Sequence, residues 1–399
     1  MATDARRHGA RGRVTRRRSS GETAALWDQH DRDWRHPAEA ATRWPDAAGV
    51  DPRLLRCVAS RDWWDLLESL RVTLLVSREY EHLLLALRSS CSGPEITYFP
   101  LPHPSGLAVD RDRLRAYVAS TRNPNQVYEF GGMPKLESAG PLLPLRSWFL
   151  PGQLYIHDLA LIGGELYANA VGENAVVALP AEGGYVRRWW PRAIETEAGP
   201  VFGPNYLQLN SIAAGAALEA SFFSASTDTL SHRRPGHQNF VVDRRGVIFS
   251  GATREPIARG LTRPHSARLH AGRLWVDNSG YGEFGSVCDG RFEPLARLTG
   301  WTRGLAFCEG TAFVGTSRVL PRFRQYAPGV DLDRSECAVH AVDWSTGKRL
   351  ASLRWPAGNQ LFAIDWLPRD ALSGLPFGSG TSTRAARKTT DLFYTYRDE

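Results

Sequence analysis

Lysine is nearly absent from this 399-residue chain: of its 49 basic residues only Lys135, Lys348 and Lys388 are lysines, and the rest are arginines. That scarcity, with no Gly-rich loop ending in Lys, excludes a Walker-type phosphate site. Cysteine is also sparse. Cys57, Cys91, Cys288, Cys308 and Cys337 are odd in number and scattered, with no CxxC pair, so neither a zinc knuckle nor a redox couple is written here. Free thiols in a reducing cytoplasm are the expectation. No apolar run approaches the roughly 18 residues that a spanning helix needs. No h-region follows the N-terminal arginines, so a secretory signal is lacking. A GxSxG nucleophile signature is missing too.

What remains is ordinary for a folded protein, with 42% hydrophobic, 10% aromatic and 23% charged residues. Such a chain can bury a core in one large domain or two smaller ones. The net charge of +7 is uneven. Residues 1–20 carry Arg6, Arg7, Arg11, Arg13, Arg16, Arg17 and Arg18 against Asp4 alone, so all but one unit of the excess is a tail. A nucleic-acid protein would carry its basic face on the folded part. Nucleic acid is therefore not expected as a partner beyond weak, salt-dependent binding by that tail, and a membrane is not expected at all.

Four segments follow from composition: a disordered Arg-rich leader over 1–20, a helical or irregular extension over 21–70, a β-rich body over 71–368 and a polar tail over 369–399. Within the extension, Arg61 to Leu70 spaces its apolar residues as an amphipathic helix does. From Val72 onward short β-like runs recur between Gly, Asp-Arg and Pro turns.

The body repeats. Ser105-Gly106-Leu107-Ala108-Val109, His157-Asp158-Leu159-Ala160-Leu161 and Asn210-Ser211-Ile212-Ala213-Ala214 share one layout. So do His265-Ser266-Ala267-Arg268-Leu269, Arg303-Gly304-Leu305-Ala306-Phe307 and Phe362-Ala363-Ile364-Asp365-Trp366. Second strands are expected over 114–119, 165–170, 273–278 and 311–315. Propeller blades of four strands run about 40–50 residues, and the repeat spacing matches that length with some long loops. The last repeat has room for one strand, while Val72 to Val76, His82 to Leu87 and Glu95 to Phe99 supply three. The expectation is all-β: a six-bladed β-propeller closed by N- and C-terminal strands, with a short N-terminal helical extension.

These residues resemble a bacterial propeller family whose domain has no assigned function and which is sometimes fused to tetratricopeptide repeats. The resemblance spans about Leu70 to Pro368. It is carried most specifically by Gly260-Leu261-Thr262-Arg263-Pro264-His265-Ser266 and by Gly272 through Gly280 to Gly282-Glu283. Ile156-His157-Asp158, Thr302-Arg303-Gly304-Leu305, Phe313-Val314-Gly315 and Leu74-Leu75-Val76-Ser77 add to it. More distantly the layout is similar to streptogramin lyases, peptidyl-amidoglycolate lyases and gluconolactonase-like propellers. Two departures replace ionisable groups with amides: Gln208-Leu209-Asn210 stands where that family has His-Leu-Asn, and Asn359-Gln360 where it has paired glutamates.

In a propeller the first strand of each blade lines the central channel. The repeat column therefore gathers Ser105, His157, Asn210, His265 and Arg303, with Asp158 and Ser266 one residue on. As catalytic candidates we take His157, His265, Arg303 and Asp158. Ser105, Asn210, Ser266, Asn278 and Glu283 are ligand-binding candidates. Three chemistries suit the set. His157 and His265 with a carboxylate can hold one divalent metal ion. A neutral imidazole can move protons while Arg303 stabilises a carboxylate or enolate. Alternatively, polar groups simply satisfy the strand ends in a wet channel. The functional expectation is a metal-assisted lyase or hydrolase acting on a small molecule or peptide at the channel mouth. The other reading is a binding module for a peptide or protein partner. Adjacent strand residues face opposite ways, so pairing His157 with Asp158 requires an irregular strand start. Two further patches read as packing or loop: Trp189-Trp190 among arginines, and the His232/His237 stretch in a long insertion of the third blade.

Overall fold

The computed structural model describes residues 20–35, 49–91, 93–122, 125–132, 140–237 and 239–378. They fall into two units. The described part of the first includes one helix, Ser20–Arg35, whose residues 21–29 are exposed. Apart from Ser20, the Arg-rich leader lies outside the described residues, as does the tail beyond Gly378. The second unit, Val50–Ser379, is a six-bladed β-propeller.

Each blade is an antiparallel sheet whose first strand is innermost. The inner strands are Pro104–Asp110, Ile156–Ile162, Leu209–Ala213, Pro264–His270, Trp301–Cys308 and Ala363–Pro368, in blades 1 to 6. They meet one another in that order around a closed ring. Closure works as the repeats required. Ala363–Pro368 pairs with Val72–Arg78 from Val72↔Pro368 to Ser77↔Ala363, and Leu83–Ser90 and Gly93–Pro100 complete blade 6. Pairing two chain ends within one sheet leaves no open seam in the ring.

Two-residue periodicity builds the core between the blades. In blade 1, Leu107, Val109, Val118 and Phe130 pack toward blade 6, with Leu75 and Leu84. Their neighbours Ala108, Ala119 and Val127 pack the other way, with Leu159, Leu166 and Val177 of blade 2. Alternate faces of one strand thus serve two seams, which is why the inner strands read as continuous apolar runs rather than as alternation.

The sheet system reaches past the expected 71–368 at both ends. Val58–Ala59 adds to the outer edge of blade 5, and Phe377–Gly378 to that of blade 6. Both cover edges that would otherwise be exposed. The expected helix forms over Trp63–Ser69, with Trp63 and Leu67, four residues apart, fully buried. Trp63 meets Phe313 of blade 5 edge-on at 6.2 Å, while the helix also touches the second and third strands of blade 6, so it fills the seam between the last two blades. Arg78, itself fully buried, secures this extension by donating to the carbonyls of Leu54 and Ala357.

Buried histidine makes the fold acid-sensitive. His340 in blade 5 is 2% exposed and keeps Nε2 3.1 Å from the Thr316 hydroxyl. Burial, aided by Arg349, pushes its pKa down to about 4 from an ordinary 6.5. The unfolded chain therefore takes a proton below about pH 6.5 that the folded chain refuses. Stability is full above that pH and falls toward pH 4, by up to about 3 kcal/mol from this residue. Urea unfolding of wild type and His340→Gln checks this. Their difference in unfolding free energy should shift against wild type by about that amount as pH falls; a pH-independent difference contradicts the assignment.

Candidate functional site

Each inner strand starts with a device that repetition makes visible. The pairing register shifts at the start of five of the six inner strands, near Pro104, Ala168 (against Ile156), Leu209, His265 and Thr302. These are β-bulges, which locally suspend alternation. Ser266 (φ 54°) and Gly304 (φ 89°) sit in the left-handed region at two of them. Gly106 serves close approach instead: a Cβ there would lie 2.5 Å from the Asp158 backbone of the next blade.

The bulges create a ring of clasps from each blade to the next. Ser105 donates to Ile156 O at 2.9 Å and to Ala119 O at 3.1 Å. Asp158 accepts the Ile212 amide (3.0 Å), Ser211 the Ala267 amide (2.8 Å) and Ser266 the Gly304 amide (2.7 Å). Ser317 accepts the Leu361 amide at the entry to blade 6, and Ser77 of blade 6 donates to Ser105 O of blade 1 at 2.6 Å. Asn169, which the repeat column did not single out, accepts the amides of His157 and Asp158 and donates to Leu209 O.

Sorting the expected residues against this ring divides them. His157, Asn210, His265, Arg303 and Phe362 do converge. The two imidazoles lie 6.0 Å apart, centre to centre, and each meets the Phe362 ring edge-on, at 5.4 and 5.6 Å. Arg303 stacks on Phe362 at 3.8 Å and donates through Nε to His265 Nε2 at 3.0 Å. Ser105 faces backbone carbonyls and is part of the clasp. Ser266 is both clasp and partner, 3.0 Å from His265 Nδ1.

Asp158 corrects the sequence reading. The bulge turns its carboxylate away from the imidazoles and onto Arg268 of blade 4, at 2.7 and 3.2 Å, besides the amides of Ile212 and Leu159. Asn278 and Glu283 are also elsewhere: Asn278 accepts the Thr262 amide and donates to Glu283 at 2.8 Å, within blade 4. Neither bonds to a histidine.

The hydrogen bonds fix the tautomers. Asn210 Nδ2 donates to Pro264 O and Ser226 Oγ, so its Oδ1, 3.3 Å from His157 Nδ1, must accept. His157 therefore carries its proton on Nδ1, and its Nε2 lone pair has no partner among the described residues. His265 differs: Nε2 accepts from Arg303 and Nδ1–H points to Ser266, so both nitrogens are committed. Both rings sit well below the ordinary histidine range. Burial is the main cause, and the charge of Arg303 adds to it. Asp277, cross-strand from His265, is fully buried, and burial holds it well above the carboxylate range against the opposing Ser266 hydroxyl and Arg268 charge.

A second layer lies two residues upstream, where a strand's period of two returns the chain to the same face. His103, Tyr155, Gln208 and Arg263 all have φ between 47° and 54°, a region costly to non-glycine residues, and each immediately precedes an inner strand. Arg263 donates to Gln208 Oε1 and stacks on Tyr326 at 4.4 Å and on Trp301 at 5.9 Å. Arg303 stacks on the same Trp301 at 5.5 Å. Stepping back two from each member of the repeat column would have found this layer. Two long connections, residues 226–245 of blade 3 and 318–337 of blade 5, pack beside it through Phe240, Val242, Val319 and Tyr326. The His232/His237 stretch belongs to the first of these and joins no site. Trp189 is core, on Phe223 at 4.1 Å, while Trp190 packs on Phe202 and under Arg254.

The donor set does not fit the divalent metal expected from His157 and His265. One histidine has no free nitrogen, two guanidinium groups flank the pair, and the adjacent carboxylate faces another blade. Among the described residues no group of three or more His, Cys, Asp or Glu could hold a metal ion. Among the described residues no helix is long and apolar enough to cross a membrane.

The family described as "Domain of unknown function (DUF4915)" matches residues 61–373. A search among curated proteins finds no match. A structure titled as a Nidogen/Laminin complex aligns with a TM-score of 0.52 at 12% identity, over 76% of this chain and 99% of that one. A gluconolactonase from Xanthomonas campestris aligns at 0.43 and 13%, over 75% and 89%. A streptogramin B lyase aligns at 0.37 and 13%, over 58% and 69%. At 12% identity the likeness to the first of these is one of fold alone.

The protonation assignment predicts that neither His157 nor His265 titrates between about pH 6 and 8. Imidazole resonances in NMR check this, with His157→Gln and His265→Gln for assignment. A midpoint near 6.5 for either ring contradicts the buried, neutral pair.

Proposed function

The chain belongs to the family described as "Domain of unknown function (DUF4915)", and from that premise we propose that the channel mouth is a metal-free acid–base site. His157 is its proton acceptor, and the chemistry is of lyase or hydrolase type on a small molecule or peptide. The observation that carries this reading is the uncommitted Nε2 of a neutral imidazole whose other nitrogen is fixed by Asn210. A base must be unprotonated and oriented before it meets its substrate. Burial beside Arg303 supplies the first condition and Asn210 the second. Arg303, fixed to His265, is placed to stabilise negative charge that develops when a proton leaves.

One observation favours the binding-module reading. His157 is the sole histidine of the pair with a free nitrogen, so no second imidazole is available to return a proton. A peptide or partner loop held by the same arginines and aromatics would need no such group. Five free cysteines, two of them buried, fit a reducing cytoplasm, and we place the protein there as part of this proposal.

The test is a panel of small carboxylates, lactones and short peptides in D2O, followed by NMR for deuterium incorporation, elimination or hydrolysis. Turnover should persist with EDTA in excess and fall about 10²–10⁴-fold in His157→Gln. Turnover that survives the substitution, or that needs an added divalent ion, contradicts the acid–base reading. Ligands that bind without turning over point to the binding module.

A further inference from the structure

Arg303 and Arg263 are 5% and 7% exposed, yet neither forms an ion pair with a carboxylate among the described residues. Fully buried Arg78 and half-buried Arg268 are each matched by an acid. Arg268 lies on Asp158 at 2.7 Å, and Arg78 lies 3.8 Å from Glu81. At the mouth, Glu79 is the carboxylate that bears on Arg303. It is already held by the Thr121 hydroxyl at 2.7 Å and by Arg122 at 3.5 Å. Burial holds Asp277 well above the carboxylate range. Two guanidinium charges thus share the Trp301 ring with no counter-charge of their own.

Buried charge without a partner is costly, and proteins rarely keep it without use. The donors are also left open. Arg303 spends Nε on His265 and Arg263 spends Nη1 on Gln208. The two terminal nitrogens of Arg303 and Nη2 of Arg263 have no partner among the described residues. Because the faces of both groups are stacked on Phe362, Trp301 and Tyr326, their edges are what a ligand meets. A guanidinium edge offers paired N–H donors that match a planar carboxylate. The aromatic walls suit an organic body rather than a free inorganic ion.

We infer that the mouth takes an organic carboxylate, held between the guanidinium edges of Arg303 and Arg263. This names the ligand class for the proposed site and rests on the mouth being where ligand binds. It does not depend on His157 moving a proton.

Binding of benzoate and malonate to the full-length protein is measured by calorimetry and by the rise in Tm, at constant ionic strength. Inorganic phosphate and chloride are run in parallel. Saturable binding of benzoate or malonate is expected, at least about tenfold weaker in Arg303→Met and in Arg263→Met, the loss typical of a charged hydrogen bond. It should stay within about twofold in Arg113→Met, which removes an exposed arginine outside the mouth and leaves the anion clamp intact. If Arg303→Met fails to fold by circular dichroism, Arg303→Lys and Arg263→Met give the readout. The inference is overturned if neither carboxylate binds saturably, if phosphate or chloride binds as well as they do, or if the arginine variants bind like wild type. A normal carboxylate profile with no turnover in any variant would sink the acid–base reading alone.

Discussion

Around the channel, a side chain near the start of one inner strand bonds to the backbone of the next, and the rest of the molecule depends on those bonds. Ser105, Asp158, Ser211 and Ser266 each cross to the following blade, Ser317 reaches Leu361, and Ser77 returns to Ser105 O to finish the circuit. The bulges that aim these groups also suspend strand alternation, so two consecutive side chains can both lie inside. One is spent on the clasp. The other reaches the channel, and this is how His157, Asn210, His265 and Arg303 come within bonding distance of one another. Each clasp satisfies a buried backbone group whose loss would cost about 1–3 kcal/mol. Assembly and site geometry are therefore the same set of bonds.

Much of this was legible in the chain. Equivalent residues repeated at blade-length spacing identified the fold, the closing strand pair and the column of side chains facing the channel. What repetition could not give was the partition of that column. Ser105 and His157 occupy the same register, yet one is a clasp and the other a ring facing its counterpart. Asp158 looked like a neighbour for His157 because the two adjoin in sequence. Its partner, Arg268, lies 110 residues away, and only the assembled ring shows that the bulge sends the carboxylate there. Tyr155, Gln208 and Arg263 went unread for another reason: their left-handed backbone, which no composition rule favours, ends one blade and begins the next.

Charge shows the same lesson at a larger scale. The +7 of the whole chain is almost entirely an N-terminal run of arginines. Inside the propeller the body is close to neutral, and its arginines mostly meet acids or aromatic rings. The uneven spot is small: Arg263 and Arg303 over one tryptophan, with the carboxylate that bears on Arg303, Glu79, already held by Thr121 and Arg122. Such an arrangement disfavours a cation, keeps the histidines unprotonated and attracts an anion. A metal site and an anion site make opposite electrostatic demands, and the residues present meet those of the second.

Anomalous diffraction from crystals of the full chain grown with 4-bromobenzoate tests that claim most directly. The account predicts a bromine peak at the channel mouth, with the carboxylate within hydrogen-bonding distance of both Arg263 and Arg303. A metal ion bound through His157 in that place, or a mouth that stays empty while bromobenzoate occupies other surfaces, would contradict it.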